Sequence, residues 1–118
     1  MKNEIKKVIE NYVDGYLNAD SRLVSGAFHS ETILYSVDDG ALDQMGMAAW
    51  IKNLNDRKLR GDIRTADFKL ESVDVTDNTA TAKLTLQFEK AQFTDYLSLL
   101  HLAGRWIIVG KIYSMKQL

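Results

Sequence analysis

The apolar periodicity of this chain changes once. Before Asn55 apolar residues recur mainly at helical spacing, and after Arg64 they alternate to the end. Such a chain folds as helices followed by an antiparallel sheet, the α+β class. From Lys2 to Asn18, Ile5, Val8, Ile9, Tyr12, Val13, Tyr16 and Leu17 fall three and four apart, which predicts an amphipathic helix. Asp20 is a fitting N-cap for a shorter second helix with the stripe Leu23, Val24, Ala27 and Phe28. Thr32 to Val37 reads as a strand before the turn signal Asp38-Asp39-Gly40, and Gly46 to Asn55 as a third helix presenting Met47, Trp50, Ile51 and Leu54.

In the second half, Ala66, Phe68 and Leu70 alternate but Val73 and Val75 resume out of phase, which predicts a β-bulge near Glu71 and Ser72. Asp77-Asn78 reads as a hairpin turn into Thr79 to Lys90, with Ala80, Ala82, Leu84, Leu86 and Phe88 on one face. If Ala103-Gly104 is a two-residue turn, Leu102 pairs with Arg105 and the last two strands can be registered by counting outward. One face then carries Phe93, Asp95, Leu97, Leu99, His101, Trp106, Ile108 and Ile112. The other carries Tyr96, Ser98, Leu100, Leu102, Ile107, Val109, Lys111 and Tyr113. Both faces are apolar, and the helices of so short a chain cover only one. The second is expected to bury itself in a homodimer through Tyr96, Ile107, Val109, Lys111 and Tyr113.

At 118 residues the chain makes a single domain, residues 1–118. Fifteen basic against sixteen acidic residues leave a net charge of −1, which gives no general attraction to nucleic acid or anionic lipid. With no cysteine there are no disulfides, thiolate metal sites or cysteine nucleophiles. Neither a membrane-length apolar run nor a signal core is present, so a cytoplasmic location is expected. Two differently placed histidines and a turn without calcium-loop spacing predict no metal, and the absence of phosphate-loop and dinucleotide motifs predicts no cofactor.

The segments Tyr12-Val13-Asp14-Gly15-Tyr16, Asp20, Ala27-Phe28-His29, Phe93-Thr94-Asp95-Tyr96-Leu97-Ser98-Leu99-Leu100 and Gly104-Arg105-Trp106-Ile107-Ile108-Val109-Gly110-Lys111-Ile112-Tyr113 resemble the putative lumazine-binding branch of the nuclear transport factor 2 (NTF2)-like superfamily. The resemblance covers nearly the whole chain. It implies a cone, the cystatin-like NTF2 fold, in which three N-terminal helices pack on a curved, bulged antiparallel sheet and any ligand enters the cone's mouth. The superfamily contains ketosteroid isomerases, polyketide cyclases, dehydratases, transport factors and non-catalytic domains, so the fold alone chooses no activity.

Asp95 stands out, because the count puts a carboxylate among Leu97, Leu99, Trp106 and Ile108; a strand-end aspartate reaching water is the plainer explanation. Tyr12 and Asp95 resemble the two oxyanion donors of ketosteroid isomerase, a worked case of carboxyl tuning. Ser36 stands where that family has its catalytic base, with Asp38 out of register, so steroid isomerisation is not expected. His29 is a second proton-transfer candidate or a helix-end histidine, and His101 lies beside the turn. Arg57, Lys58, Arg60 and Arg64 form a basic cluster that reads as a solvated loop, or as a rim over an anionic ligand.

Three functions follow as expectations. The first is a pocket for a small hydrophobic or planar molecule lined by Tyr12, Tyr16, Trp50, Asp95, Leu97 and Trp106. The second is a cofactor-independent isomerase, dehydratase or cyclase with Asp95, His29 and Tyr12 as catalytic groups. The third is a dimerisation module without a ligand.

Overall fold

The computed structural model describes residues 2–118. Helix α1 spans Lys2–Leu17 and α2 Ser21–Ala27; strands β1 (Ile33–Asp38) and β2 (Ala41–Gly46) precede α3 (Met47–Leu59). Four long strands follow: β3 (Asp67–Thr76), β4 (Thr79–Gln87), β5 (Ala91–Leu102) and β6 (Arg105–Gln117). They form one six-stranded sheet in the order β2-β1-β6-β5-β4-β3. All neighbours are antiparallel except β1 and β6, whose parallel contact folds the first hairpin back beside the last strand.

The helices lie on one face of the sheet and enclose the core. Ile5, Ile9, Tyr12 and Val13 of α1 and Trp50 and Leu54 of α3 pack with Leu84, Leu86, Leu97, Leu99 and Ile108 of the sheet. The chain turns sharply between α1 and α2, where a Cβ on Gly15 would lie 2.8 Å from Val24 Cγ2 and 2.9 Å from Leu23 Cβ, so only glycine lets the two helices approach this closely. Asp20 Oδ1 accepts from the backbone N–H groups of Arg22 and Leu23, the N-cap its position predicts.

The bulge expected near Glu71 falls between Leu70 and Ser72. The Ala103-Gly104 turn pairs Leu102 with Arg105, both turn residues having positive φ (+53° and +82°) as a type I′ turn requires. Three features differ from the sequence reading. Strand β2 was not expected: it is an edge strand exposed along almost its whole length, so its residues show no buried alternation. Helix α3 runs a turn beyond Asn55 to Leu59, because Arg57 continues the inward stripe of Trp50 and Leu54 with a charged residue.

The third difference carries functional weight. Outward counting from the turn holds as far as Leu99 opposite Ile108; a bulge then leaves Val109 without an opposite residue, and Ser98 faces Gly110, Leu97 faces Lys111 and Asp95 faces Tyr113. The extra residue reverses the faces of the rest of β6. Lys111 and Tyr113, expected on the outer face, point into the cone, and Ile112, expected inside, is exposed. Ile107 is buried and Val109 half-buried, leaving Tyr96 alone of the expected interface residues well exposed.

Candidate functional site

A cavity of about 330 Å³ opens between α1, α3 and the inner face of the sheet. That is at the small end of the roughly 300–1,000 Å³ of ligand pockets, and about twice the ~150 Å³ that holds a benzene molecule. Each wall has a local cause. The i, i+4 spacing of Tyr12 and Tyr16 puts both on the inward face of α1 near its C-terminal end. Trp50 enters from α3, edge-on to Tyr12 and to Phe28 at centroid distances of 5.9 and 5.1 Å. Asp95 and Phe93 come from β5, and Lys111 and Tyr113 from β6.

Three polar side chains meet at the floor. The Tyr12 hydroxyl donates to Asp95 Oδ2 at 2.5 Å, Lys111 Nζ donates to the Tyr12 hydroxyl oxygen at 2.6 Å, and Lys111 Nζ lies 3.7 Å from Asp95 Oδ2. The first two are hydrogen bonds, and the third is an ion-pair contact too long to be one. All three residues are buried, Asp95 at 2% exposure and Lys111 at 7%. A charge in such a place needs a partner, and Asp95 and Lys111 provide it for each other. Four aromatic rings also surround the ammonium, those of Tyr12, Trp50, Tyr113 and Tyr16 at 4.8, 4.8, 4.9 and 5.9 Å.

Burial pushes the Tyr12 phenol well above its ordinary range, and the negative charge of Asp95 adds to the rise. Burial pulls the Lys111 ammonium below its ordinary value, against the opposing attraction of Asp95. An ammonium has three N–H donors, so Lys111 keeps hydrogen-bonding capacity beyond its bond to Tyr12, and it lines the cavity.

The mouth is basic. Arg57, Arg60 and Arg64 line it, and Asp62 lies beside them at 3.5, 3.4 and 3.1 Å. The Arg57 guanidinium is buried and donates to the carbonyls of Tyr16 (2.7 Å), Leu17 (3.3 Å) and Asp62 (3.1 Å). Its Nε has no hydrogen-bond partner, the Asp62 carboxylate standing 3.5 Å away as an ion-pair contact. Arg64 donates to the Tyr16 hydroxyl at 3.0 Å. The segment read as a solvated loop is therefore partly a wall of the cavity.

Of the residues expected in the pocket, Tyr12, Tyr16, Trp50 and Asp95 line it. Leu97 and Trp106 do not: they belong to the closed core, with the Trp106 ring tilted against that of His101 at a centroid distance of 5.2 Å. His29 does not line the cavity either. Its backbone N–H bonds to the Ile108 carbonyl, and its Nδ1 accepts from the Glu31 N–H at 3.1 Å, so it closes the turn after α2. Tyr12 and Asp95 touch each other, but the Tyr12 proton is held by the carboxylate rather than aimed at a ligand oxygen. Lys111, expected at the dimer interface on the outer face, lines the cavity instead; the signal in the sequence is Gly110, a glycine inside a strand and hence a mark of a bulge.

Among the described residues no helix is long and apolar enough to cross a membrane, and no group of histidine and carboxylate side chains is arranged to hold a metal ion.

The family model described as "Putative lumazine-binding" matches residues 1–114. Solved structures with the same fold include an NTF2-like protein of unknown function from Silicibacter pomeroyi (21% identity, 97% of this chain and 94% of that one, TM-score 0.84). Others are NTF2-like proteins of unknown function from Shewanella baltica (24%, 98% and 93%, TM-score 0.84) and Methylobacillus flagellatus (22%, 97% and 90%, TM-score 0.78). At these identities the likeness concerns the fold. No curated protein matches the chain. With the family match spanning almost every residue, the chain belongs to the family described as putative lumazine-binding, and its fold is that of the NTF2-like structures.

Proposed function

We propose that the cone binds a small planar molecule, held between the aromatic side chains of Trp50, Tyr113 and Phe93 and hydrogen-bonded at its inner end by Lys111. The observation that carries this reading is the Lys111–Tyr12–Asp95 cluster at the floor of the cavity. Burying an ion pair adds little or nothing to stability compared with apolar packing, so its placement against a void rather than in the closed core favours a ligand-facing role. Binding is favoured over proton transfer, because the Tyr12 proton is already donated to Asp95 and His29 stands elsewhere.

The test is a native mass spectrum of the purified protein followed by denaturing extraction. The reading expects a retained mass that falls away in Trp50→Ala, a variant that removes a wall and leaves the floor in place. A retained mass that Trp50→Ala still holds in full would contradict it.

Lys111 and Tyr113 leave the outer face; Tyr96 remains there, Ile112 joins it, Val37 and Leu42 of the first hairpin lie alongside and Met115 borders the same groove, all five of these apolar side chains at least half exposed. Isolated surface apolar residues need no explanation, but five large ones around one groove do. We propose a second copy of the chain as their cover, two-fold pairing being the commonest arrangement for such a face. Light scattering is expected to give a dimer for the wild type and a monomer with unchanged circular dichroism for Ile112→Glu. A monomeric wild type, or a dimer indifferent to the substitution, would contradict it.

A further inference from the structure

Building on the binding reading above, we infer that the ligand is a small planar acid, its carboxylate at the arginine mouth and a carbonyl or hydroxyl oxygen at the Lys111 floor. The whole chain carries a net charge of −1, yet Lys52, Arg57, Arg60, Arg64 and Lys111 stand at this one cavity and its edge against Asp56, Asp62 and Asp95. The surplus is positive, and it lies at the mouth.

The positions of the charges fix the orientation. At the floor Lys111 and Asp95 balance, so an anion placed there would meet the Asp95 carboxylate. A neutral acceptor suits that end, because Lys111 has an N–H to spare. At the mouth Asp56 is already paired with Lys52 at 2.8 Å, and the single Asp62 is shared among three guanidinium groups. Arg57 is committed to the carbonyls of Tyr16, Leu17 and Asp62 and Arg64 to Asp62 and Tyr16, whereas Arg60, 60% exposed at its side chain, makes only a 3.4 Å contact with Asp62. Donors left over in this way suit a carboxylate, which accepts from guanidinium groups through two oxygens.

Tyr16 stands beside cations of both ends. Its ring centre lies 5.9 Å from Lys111 Nζ, 5.2 Å from the central carbon of the Arg57 guanidinium and 5.8 Å from that of Arg64. Lys111 at the floor and Arg57 and Arg64 at the mouth thus stand around a single aromatic ring. The cavity volume of about 330 Å³ suits a molecule of one ring with a small substituent at each end, and leaves room for little more.

The experiment is calorimetric titration of the full chain with benzoate, its neutral analogue benzamide, and 4-hydroxybenzoate, at low and high salt. Benzoate is expected to bind about tenfold or more tighter than benzamide, the value of one charge-assisted hydrogen-bond set, and to weaken as salt rises. The oxygen at the far end should make 4-hydroxybenzoate tighter still. Arg60→Gln, a change at an exposed side chain that leaves the core alone, should bring benzoate to the affinity of benzamide and leave benzamide unchanged. Benzamide binding as well as benzoate, or benzoate indifferent to Arg60→Gln, overturns the acid assignment while the binding reading stands. Failure of all three probes to bind in the millimolar range overturns both.

Discussion

Asp95→Asn should destabilise the protein by about 3 kcal/mol or more, measured by urea unfolding, because it leaves the Lys111 ammonium buried without its counter-charge. The aromatic rings around Nζ and the opening of the cavity soften the loss, which places it at the lower end of the ~3–5 kcal/mol found when one member of a buried pair is removed. The pH dependence identifies the cause. Burial already holds Lys111 below its ordinary value in the folded protein, and loss of Asp95 removes the opposing attraction. Between that lowered value and the unfolded value of about 10.4, the unfolded chain binds more protons than the folded one, so stability rises with pH across this window. The folded value is lower still in Asp95→Asn than in wild type, so the deficit of the variant should shrink as pH rises above neutrality. Combining Asp95→Leu with Lys111→Met removes both charges and should restore most of the stability, or exceed it. A double variant no more stable than Asp95→Asn would show that the pair does not act as a unit.

Arg57→Met should cost about 2–4 kcal/mol, with comparable side-chain volume retained and all the donors lost. The last turn of α1 contains no basic residue, and Arg57 reaches across from α3 to supply one, bonding the carbonyls of Tyr16 and Leu17. Leu17 keeps a second donor in the Arg64 backbone N–H, so the carbonyls of Tyr16 and Asp62 are the ones stripped of this side-chain donor. Each such loss incurs the penalty of an unsatisfied acceptor where water does not reach it. The guanidinium also positions Tyr16, so benzoate binding should weaken with stability in this variant. Arg57→Lys, which keeps the charge but not the fork of donors, is expected to fall between wild type and Arg57→Met. A loss below about 0.5 kcal/mol for Arg57→Met would mean that the three carbonyl bonds do not hold α1 against α3.

Most of the architecture was legible because each element follows from its own local pattern. The α1 stripe, the Asp20 cap, the phase change at Glu71 and the Ala103-Gly104 turn are all short-range signals, and all stand where they were read. Strand β2 was not legible, because an exposed edge strand has no buried face to impose alternation. The site was half legible. Tyr12, Tyr16, Trp50 and Asp95 could be placed by helical spacing and by counting from the turn on the β5 side. Counting from the turn put Lys111 on the wrong face, since its direction depends on one extra residue at Val109, marked only by the glycine that follows it, and a slip of one reverses a strand's faces. Arg57 was hidden for another reason: it occupies a core-facing helical position, but its charge made it read as solvent-exposed.

The two tryptophans offer the most direct measurement, because one lines the cavity and the other is sealed in the core. An amide correlation spectrum of nitrogen-15-labelled protein contains one indole N–H signal for each, and it can be followed during titration with benzoate and with benzamide. At least one of these probes should move the Trp50 signal saturably and leave that of Trp106 in place. A Trp50 signal unmoved by both, or a Trp106 signal that moves in its stead, would contradict the claim that the cone is a binding site.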